Sequence, residues 1–247
     1  MHESNAGGSG DKADLLLPAP QRKLMEVIAG TGKPVVLVNM TGSAMDLRFA
    51  DAHFSAVVQG WYPGARGGKA IAELLFGKYS PSGKLPVTFY NSADDLPAFT
   101  DYAMENRTYR YFKGDVLYPF GFGLTYGRTA VTAASAEKAE GGWRVTASLE
   151  HSGAAGGDVV EVYIRDNESK FAVRNHSLCA FKPVSFSGDE AKTVELFVPD
   201  RALEIVDDSG ERRVDSRSFT LYVGVSQPDA RSCALTGTRP AEIALQL

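Results

Sequence analysis

The sequence predicts an α/β half followed by an all-β half. Three observations point there. A helical segment runs straight into a continuous β-branched strand near the start. A second strand, a Gly-rich turn and an amphipathic helix come next, and beyond Arg128 the apolar pattern changes to period two.

Taken in order, PAPQRKLMEVIAGTG from Pro18 to Gly32 sets Leu24, Val27 and Ile28 at helical spacing and ends on glycines. VVLVN, Val35 to Asn39, is an unbroken apolar run, the pattern of a strand buried on both faces of a parallel sheet. SAVVQGW, Ser55 to Trp61, is a second such strand; WYPGARGG supplies a turn, and the helix after it carries Ala70, Ile71, Leu74 and Leu75 on one side. PSGKLPVTFY then predicts a turn at Pro81 to Gly83 and a short strand at Val87 to Tyr90. From Asn91 to Arg128 no period is visible, yet the segment is rich in aromatics, from Phe99 and Tyr102 through Tyr109 to Phe122 and Tyr126. So long a loop in a compact domain needs a surface for its rings.

Past Arg128, WRVTASLE alternates Trp143, Val145, Ala147 and Leu149 with Arg144, Thr146, Ser148 and Glu150. The alternation returns in VVEVYIR, KTVELFV and SFTLYVGV, with turn signals at Gly156-Gly157, Ser187-Gly188 and Ser209-Gly210. Short strands at this spacing predict a β-sandwich. The expected division is therefore 1–128 and 129–247.

Composition narrows the function classes. The 247 residues carry 30 acidic and 26 basic side chains, a net charge of -4, and no basic run longer than a pair such as Arg212-Arg213. Nucleic acid and anionic membrane are thereby poor partners. No apolar run approaches the roughly 20 residues needed to span a bilayer. The opening MHESNAGGSGDKAD has neither the basic nor the apolar region of a leader; it reads as an internal loop, with Met1 a cut point. Cys179 and Cys233 lack CxxC spacing and read as free buried thiols, and His2, His53, His151 and His176 lack ligand spacing and read as surface residues. No metal or cofactor is expected. GGSGDK lacks the Lys-Ser/Thr ending of a phosphate loop, and no GxSxG turn presents a nucleophile.

Against that background a series of motifs stands in order: DKADLLLPAPQ at Asp11, KPVVLV at Lys33, WYPGARGGKAIAELLFG at Trp61, SPSGKLPVTFY at Ser80, DYAMENRTYRYF at Asp101 and LYPFGFGLTY at Leu117. Together they resemble the family 3 glycoside hydrolases of the bacterial β-xylosidase and β-glucosidase type. GDVVEVYIRD at Gly157 and FTLYVGVSQPDAR at Phe219 resemble the fibronectin type III-like domain that follows in many members. The resemblance implies an incomplete α/β sandwich, a mostly parallel sheet with helices and an unpaired edge, followed by a fibronectin type III-like β-sandwich.

It also implies a retaining hydrolase of O-glycosidic bonds, in which a (β/α)8 barrel holds an Asp nucleophile and the α/β domain lends a Glu acid/base. The chain is then a C-terminal fragment without the barrel, inactive alone. Its partners in the intact enzyme are that barrel and a β-linked xylo- or gluco-oligosaccharide. The alternative is a non-catalytic carbohydrate-binding or interaction module. The family's acid/base precedes an Asp-Arg pair, here Asp11-Lys12, and the carboxylate upstream is Glu3, the candidate acid/base against its plain reading as a solvated terminal charge. Arg66 stands where the family carries acidic or amide residues. Arg107, Tyr109, Arg110 and Tyr111 read as anchors docking the long loop onto the barrel, or as a lining for the sugar site. Trp61 and Tyr62, at the end of a strand, read as core rather than as a sugar platform.

Overall fold

The computed structural model describes residues 14–247, which divide into two compact units. One takes the described residues up to Lys78 with Thr88–Tyr102 and Gly114–Tyr118; the other takes Tyr79–Val87, Ala103–Lys113 and Pro119–Leu247.

The first unit holds helices α1 (Ala19–Ala29), α2 (Arg48–His53) and α3 (Gly67–Leu75) and strands β1 (Val36–Asn39), β2 (Ala56–Gln59), β3 (Phe89–Tyr90) and β4 (Val116–Tyr118). β1 and β2 pair in parallel, Val36 opposite Ala56 and Asn39 opposite Gln59. Burial on both faces is not reached: Val36 is exposed, Leu37 and Val38 are half-buried, and only Asn39 is fully buried. On α1, Met25 is buried, whereas Leu24 and Val27, expected inside, are both 58% exposed. On α3, Ile71 and Leu74 are half-buried while Ala70 and Leu75 face solvent. β4, inside the segment that shows no period, pairs antiparallel with β3. There Phe89 meets Tyr118 edge-on, and the Tyr118 hydroxyl donates to Asp51 Oδ1 at 2.7 Å.

In the second unit a single helical turn, α4 (Thr108–Tyr111), precedes the sandwich. β5 (Gly127–Ala139), β6 (Gly142–Gly153) and β9 (Glu190–Pro199) form one sheet in the order β5-β6-β9. β7 (Gly156–Asp166), β8 (Ser177–Phe186), β12 (Ser218–Gly224) and β13 (Ala241–Gln246) form the other in the order β13-β12-β7-β8. The strands β10 (Ile205–Val206) and β11 (Arg212–Arg213) make a small hairpin, and α5 (Ala230–Thr236) links β12 to β13.

The period-two residues meet between these sheets: Val145, Ala147 and Leu149 of β6 against Val160, Val162 and Ile164 of β7, with Leu196, Val198, Phe219, Leu221 and Val223. Such alternation buries one face of each strand. The facing edges of β8 and β9 are tied by Lys182 Nζ donating to the Glu195 carbonyl at 3.1 Å and Lys192 Nζ to the Ser185 carbonyl at 2.6 Å, a way of blunting sheet edges. β8 bulges at Cys179, where pairing passes from Ala180 opposite Val162 to Leu178 opposite Tyr163. β7 departs from the one-face rule, because Glu161 and Tyr163 on its outer face are as buried as the valines on its inner face.

Candidate functional site

Glu3, the acid/base candidate, lies outside the described residues, as does His2. Arg66 is exposed at the N-terminus of α3. Trp61 adopts φ 49, unusual for a side chain of its size, and sets its half-buried ring edge-on to Phe89 at 6.2 Å. Tyr62 does not join the core: it is 73% exposed and lies so close over Gly42 that an added Cβ there would meet its hydroxyl at 2.3 Å. At the carboxyl ends of β1 and β2, where parallel sheets present ligand-binding groups, Asn39 Nδ2 donates to Gln59 Oε1 at 2.7 Å. Gln59 Nε2 in turn reaches the Thr41 carbonyl at 3.4 Å. These amides satisfy one another.

The densest set of perturbed groups sits on the outer face of the second unit's four-stranded sheet. Tyr109 and Arg110, read from the sequence as anchors for a barrel or a lining for the sugar site, fasten the loop to this sheet. The Tyr109 hydroxyl accepts from Leu178 N–H at 3.0 Å, and Arg110 Nε donates to Ser177 Oγ at 3.0 Å. Asn175 N–H donates to the Arg110 carbonyl at 3.0 Å, and its side-chain amide donates to the carbonyls of Tyr109 and Phe112 at 2.9 and 3.0 Å. The Tyr109 ring stacks on Phe120 at 4.2 Å. Tyr109 and Phe112 thus have a hold within the chain itself, supplied by β8 and the turn before it, while Phe99, Tyr102 and Tyr126 stay exposed.

Beneath the loop, Tyr163 is fully buried and donates to Glu161 Oε2 at 2.9 Å. Burial pushes the Glu161 carboxyl up to about 7, with the Lys84 charge and the Tyr163 hydrogen bond pulling the other way. Burial, and then the Glu161 charge, raises the Tyr163 phenol, and burial also raises Tyr109. Lys84 Nζ lies 2.8 Å from Asp158 Oδ1, both side chains nearly dry, and also donates to the Gly123 carbonyl at 3.0 Å. Gln227 Nε2 donates to the Phe120 carbonyl at 2.6 Å, which turns its Oε1 toward His176 Nε2, also at 2.6 Å. That places the imidazole proton on Nε2, and burial lowers the His176 pKa, so the ring is neutral at neutral pH.

His176 and His151 are therefore not surface residues. They are 8% and 3% exposed, and His151 bonds Thr129 Oγ1 at 2.9 Å and the Ala154 carbonyl at 3.0 Å while stacking on Phe186 at 4.4 Å. Both thiols are free, but each is half-buried rather than buried. Among the described residues, no group of three or more His, Cys, Asp and Glu is placed to hold a metal.

Sequence reasoning missed Lys84, Asp158, Glu161, Tyr163, His176 and Gln227. The local signal in VVEVYIR is alternation, which reads Glu161 and Tyr163 as a wetted face. Chemically, Glu161 is an acid poised near neutrality, yet it is sealed: a Cβ on Gly121 would meet Tyr163 Oη at 2.3 Å and Glu161 Oε2 at 2.7 Å, so not even a methyl group fits against them. A retaining glycosidase needs two carboxylates about 5–5.5 Å apart with a sugar between them. This cluster holds the fold together and has no room for one.

The model of the glycosyl hydrolase family 3 C-terminal domain matches residues 1–126, and that of the fibronectin type III-like domain matches residues 158–227. A xylan 1,4-β-xylosidase of Xylanibacter ruminicola is 36% identical over 233 residues, covering 93% of this chain and 27% of its own length. A periplasmic β-glucosidase of Salmonella typhimurium is 30% identical over 234 residues, covering 88% of this chain and 31% of its own length. A β-glucosidase from Streptomyces venezuelae, solved in complex with D-glucose, superposes with a TM-score of 0.81 at 29% identity, covering 95% of this chain and 32% of that structure. A β-glucosidase from Bifidobacterium adolescentis superposes with a TM-score of 0.82 at 26% identity, covering 96% of this chain and 37% of that structure. The chain thus spans between a quarter and two fifths of the length of these relatives.

Proposed function

The chain belongs to glycosyl hydrolase family 3, through that family's C-terminal domain, and on this premise we propose that it serves as the C-terminal part of a retaining β-glycosidase of the β-xylosidase or β-glucosidase type. In this reading it acts on β-linked xylo- or gluco-oligosaccharides only together with a barrel that supplies the nucleophile, and Glu3 is the proposed acid/base.

One observation carries the reading: a β-xylosidase and a β-glucosidase match 93% and 88% of this chain with only 27% and 31% of their own length. The two-carboxylate chemistry of a retaining glycosidase then draws its nucleophile from the barrel. General-acid help alone is worth about 10²–10⁴-fold, small beside the roughly 10⁶-fold or more of a complete enzyme.

The test is hydrolysis of nitrophenyl xyloside and nitrophenyl glucoside by the purified chain, alone and mixed with the separately expressed barrel of a relative. The expected result is the buffer rate alone and a rise on mixing that Glu3→Gln removes. Turnover by the chain alone would overturn the proposal. Tight binding of xylo-oligosaccharide with no rise on mixing would favour the non-catalytic module instead.

A further inference from the structure

The segments Tyr79–Val87, Ala103–Lys113 and Pro119–Tyr126 cover the part of the four-stranded sheet's outer face that carries Glu161 and Tyr163, and their hold on it converges on one carboxylate. Leu85 N–H donates to the Phe122 carbonyl at 2.9 Å and Gly121 N–H to the Leu85 carbonyl at 2.8 Å, so two of the segments are stitched to each other. Gln227 holds the Phe120 carbonyl, Lys84 holds Gly123, and Tyr109 holds Leu178. At the centre Gly121 lies directly on the Glu161 carboxyl and the Tyr163 hydroxyl.

We propose that this arrangement is a proton-operated clasp, in which a protonated Glu161 holds the covering segments on the sandwich and its ionisation loosens them. The groups facing Glu161 explain why one proton matters. Its own strand offers Tyr163, which gives the hydrogen bond, and Asp158, a like charge. The segment Tyr79–Val87 offers Lys84, whose ammonium sits on Asp158 rather than on Glu161. The segment Ala103–Lys113 offers Tyr109, a neutral phenol, and Pro119–Tyr126 offers only the backbone of Gly121. Across the sheet its register partners are Phe181 and Gly224, neither of them charged. Beyond Tyr163 stand neutral His176 and Asp229. An ionised Glu161 is therefore buried on one hydrogen bond, with the nearby Lys84 cation already paired to Asp158, and lifting the segments would return it to water.

The sign follows from linkage. The covered carboxyl has its pKa raised from 4.5 to about 7 by burial, so covering binds a proton that the open form releases between those values. The hold is full below pH 4.5, weakens as pH rises toward 7, and levels off above it. The opening equilibrium of the segments should thus rise by tens of fold between pH 5 and pH 8, by roughly the ratio of the two titration curves.

Amide hydrogen exchange on the full chain at pH 5, 6, 7 and 8, corrected for intrinsic exchange, reads this directly. The amides of Leu85, Gly121, Asn175 and Leu178 should open increasingly with pH up to 7, while the β6–β9 ladder stays level, and Glu161→Gln should flatten the rise. The proposal is overturned if the segment amides follow the β6–β9 ladder at every pH, or if the rise persists in Glu161→Gln. Infrared spectra of the unmutated chain give a check that needs no variant. A buried protonated carboxyl band should disappear near neutral pH, and a carboxylate ionised throughout would sink the idea.

Discussion

Gly121→Ala is the sharpest perturbation the second unit allows. Gly121 has φ 77, in the left-handed region that costs an L side chain roughly 1–2 kcal/mol. Its new Cβ would also stand 2.3 Å from Tyr163 Oη, and that ring cannot retreat. Tyr163 is fully buried, edge-on to Tyr109 at 6.1 Å and to His176 at 5.2 Å. Displacing the hydroxyl breaks its bond to Glu161 and strands a buried polar group, worth about 1–3 kcal/mol. The total loss is then about 2–5 kcal/mol. Gly210 is the matched control: it has φ 83, and a Cβ there meets nothing within 4 Å, so Gly210→Ala should cost only the backbone part, about 1–2 kcal/mol. Urea unfolding of both variants, in a Trp61→Phe background so that Trp143 against the sandwich core reports the transition, measures the difference. Equal losses at the two glycines would refute the claim that the outer face of β7 is sealed by close contact.

Lys84→Met leaves Asp158 buried without its cation and should cost about 3–5 kcal/mol, most of it recovered by adding Asp158→Asn; a double variant no better than the single would show that the pair is screened. Burial pushes the Cys179 thiol up to about 12, and its Sγ is turned onto the Val162 carbonyl at 3.2 Å. A disulfide reagent at pH 8 should therefore label Cys233 first and Cys179 only as denaturant opens the sandwich, with peptide mapping to decide; equal rates would contradict the buried placement. The proposed division at 128/129 predicts that residues 129–247 fold alone, but with a lower urea midpoint than residues 79–247, which keep the covering segments. Equal midpoints would mean that those segments add no stability.

Much of this architecture is legible in local pattern. Alternation in WRVTASLE and SFTLYVGV puts Val145, Ala147, Leu149, Phe219, Leu221 and Val223 in one core, because a strand's side chains must point to opposite faces in turn. The strand, Gly-rich turn and helix around Trp61 likewise announce the α/β unit. Pattern failed where burial depends on how much partner surface exists. Leu24 and Val27 sit at helical spacing yet stay exposed, and Met25 alone of α1 is buried. It failed again at the polar cluster. Alternation establishes that Glu161 and Tyr163 share a face opposite the valines; that these two are dry, that Gly121 closes over them, and that Gln227 grips Phe120 from 107 positions away were decided by tertiary structure alone. Local periodicity records which way a side chain points, whereas what lies over it depends on contacts between distant segments, and these leave no periodic trace in either of them.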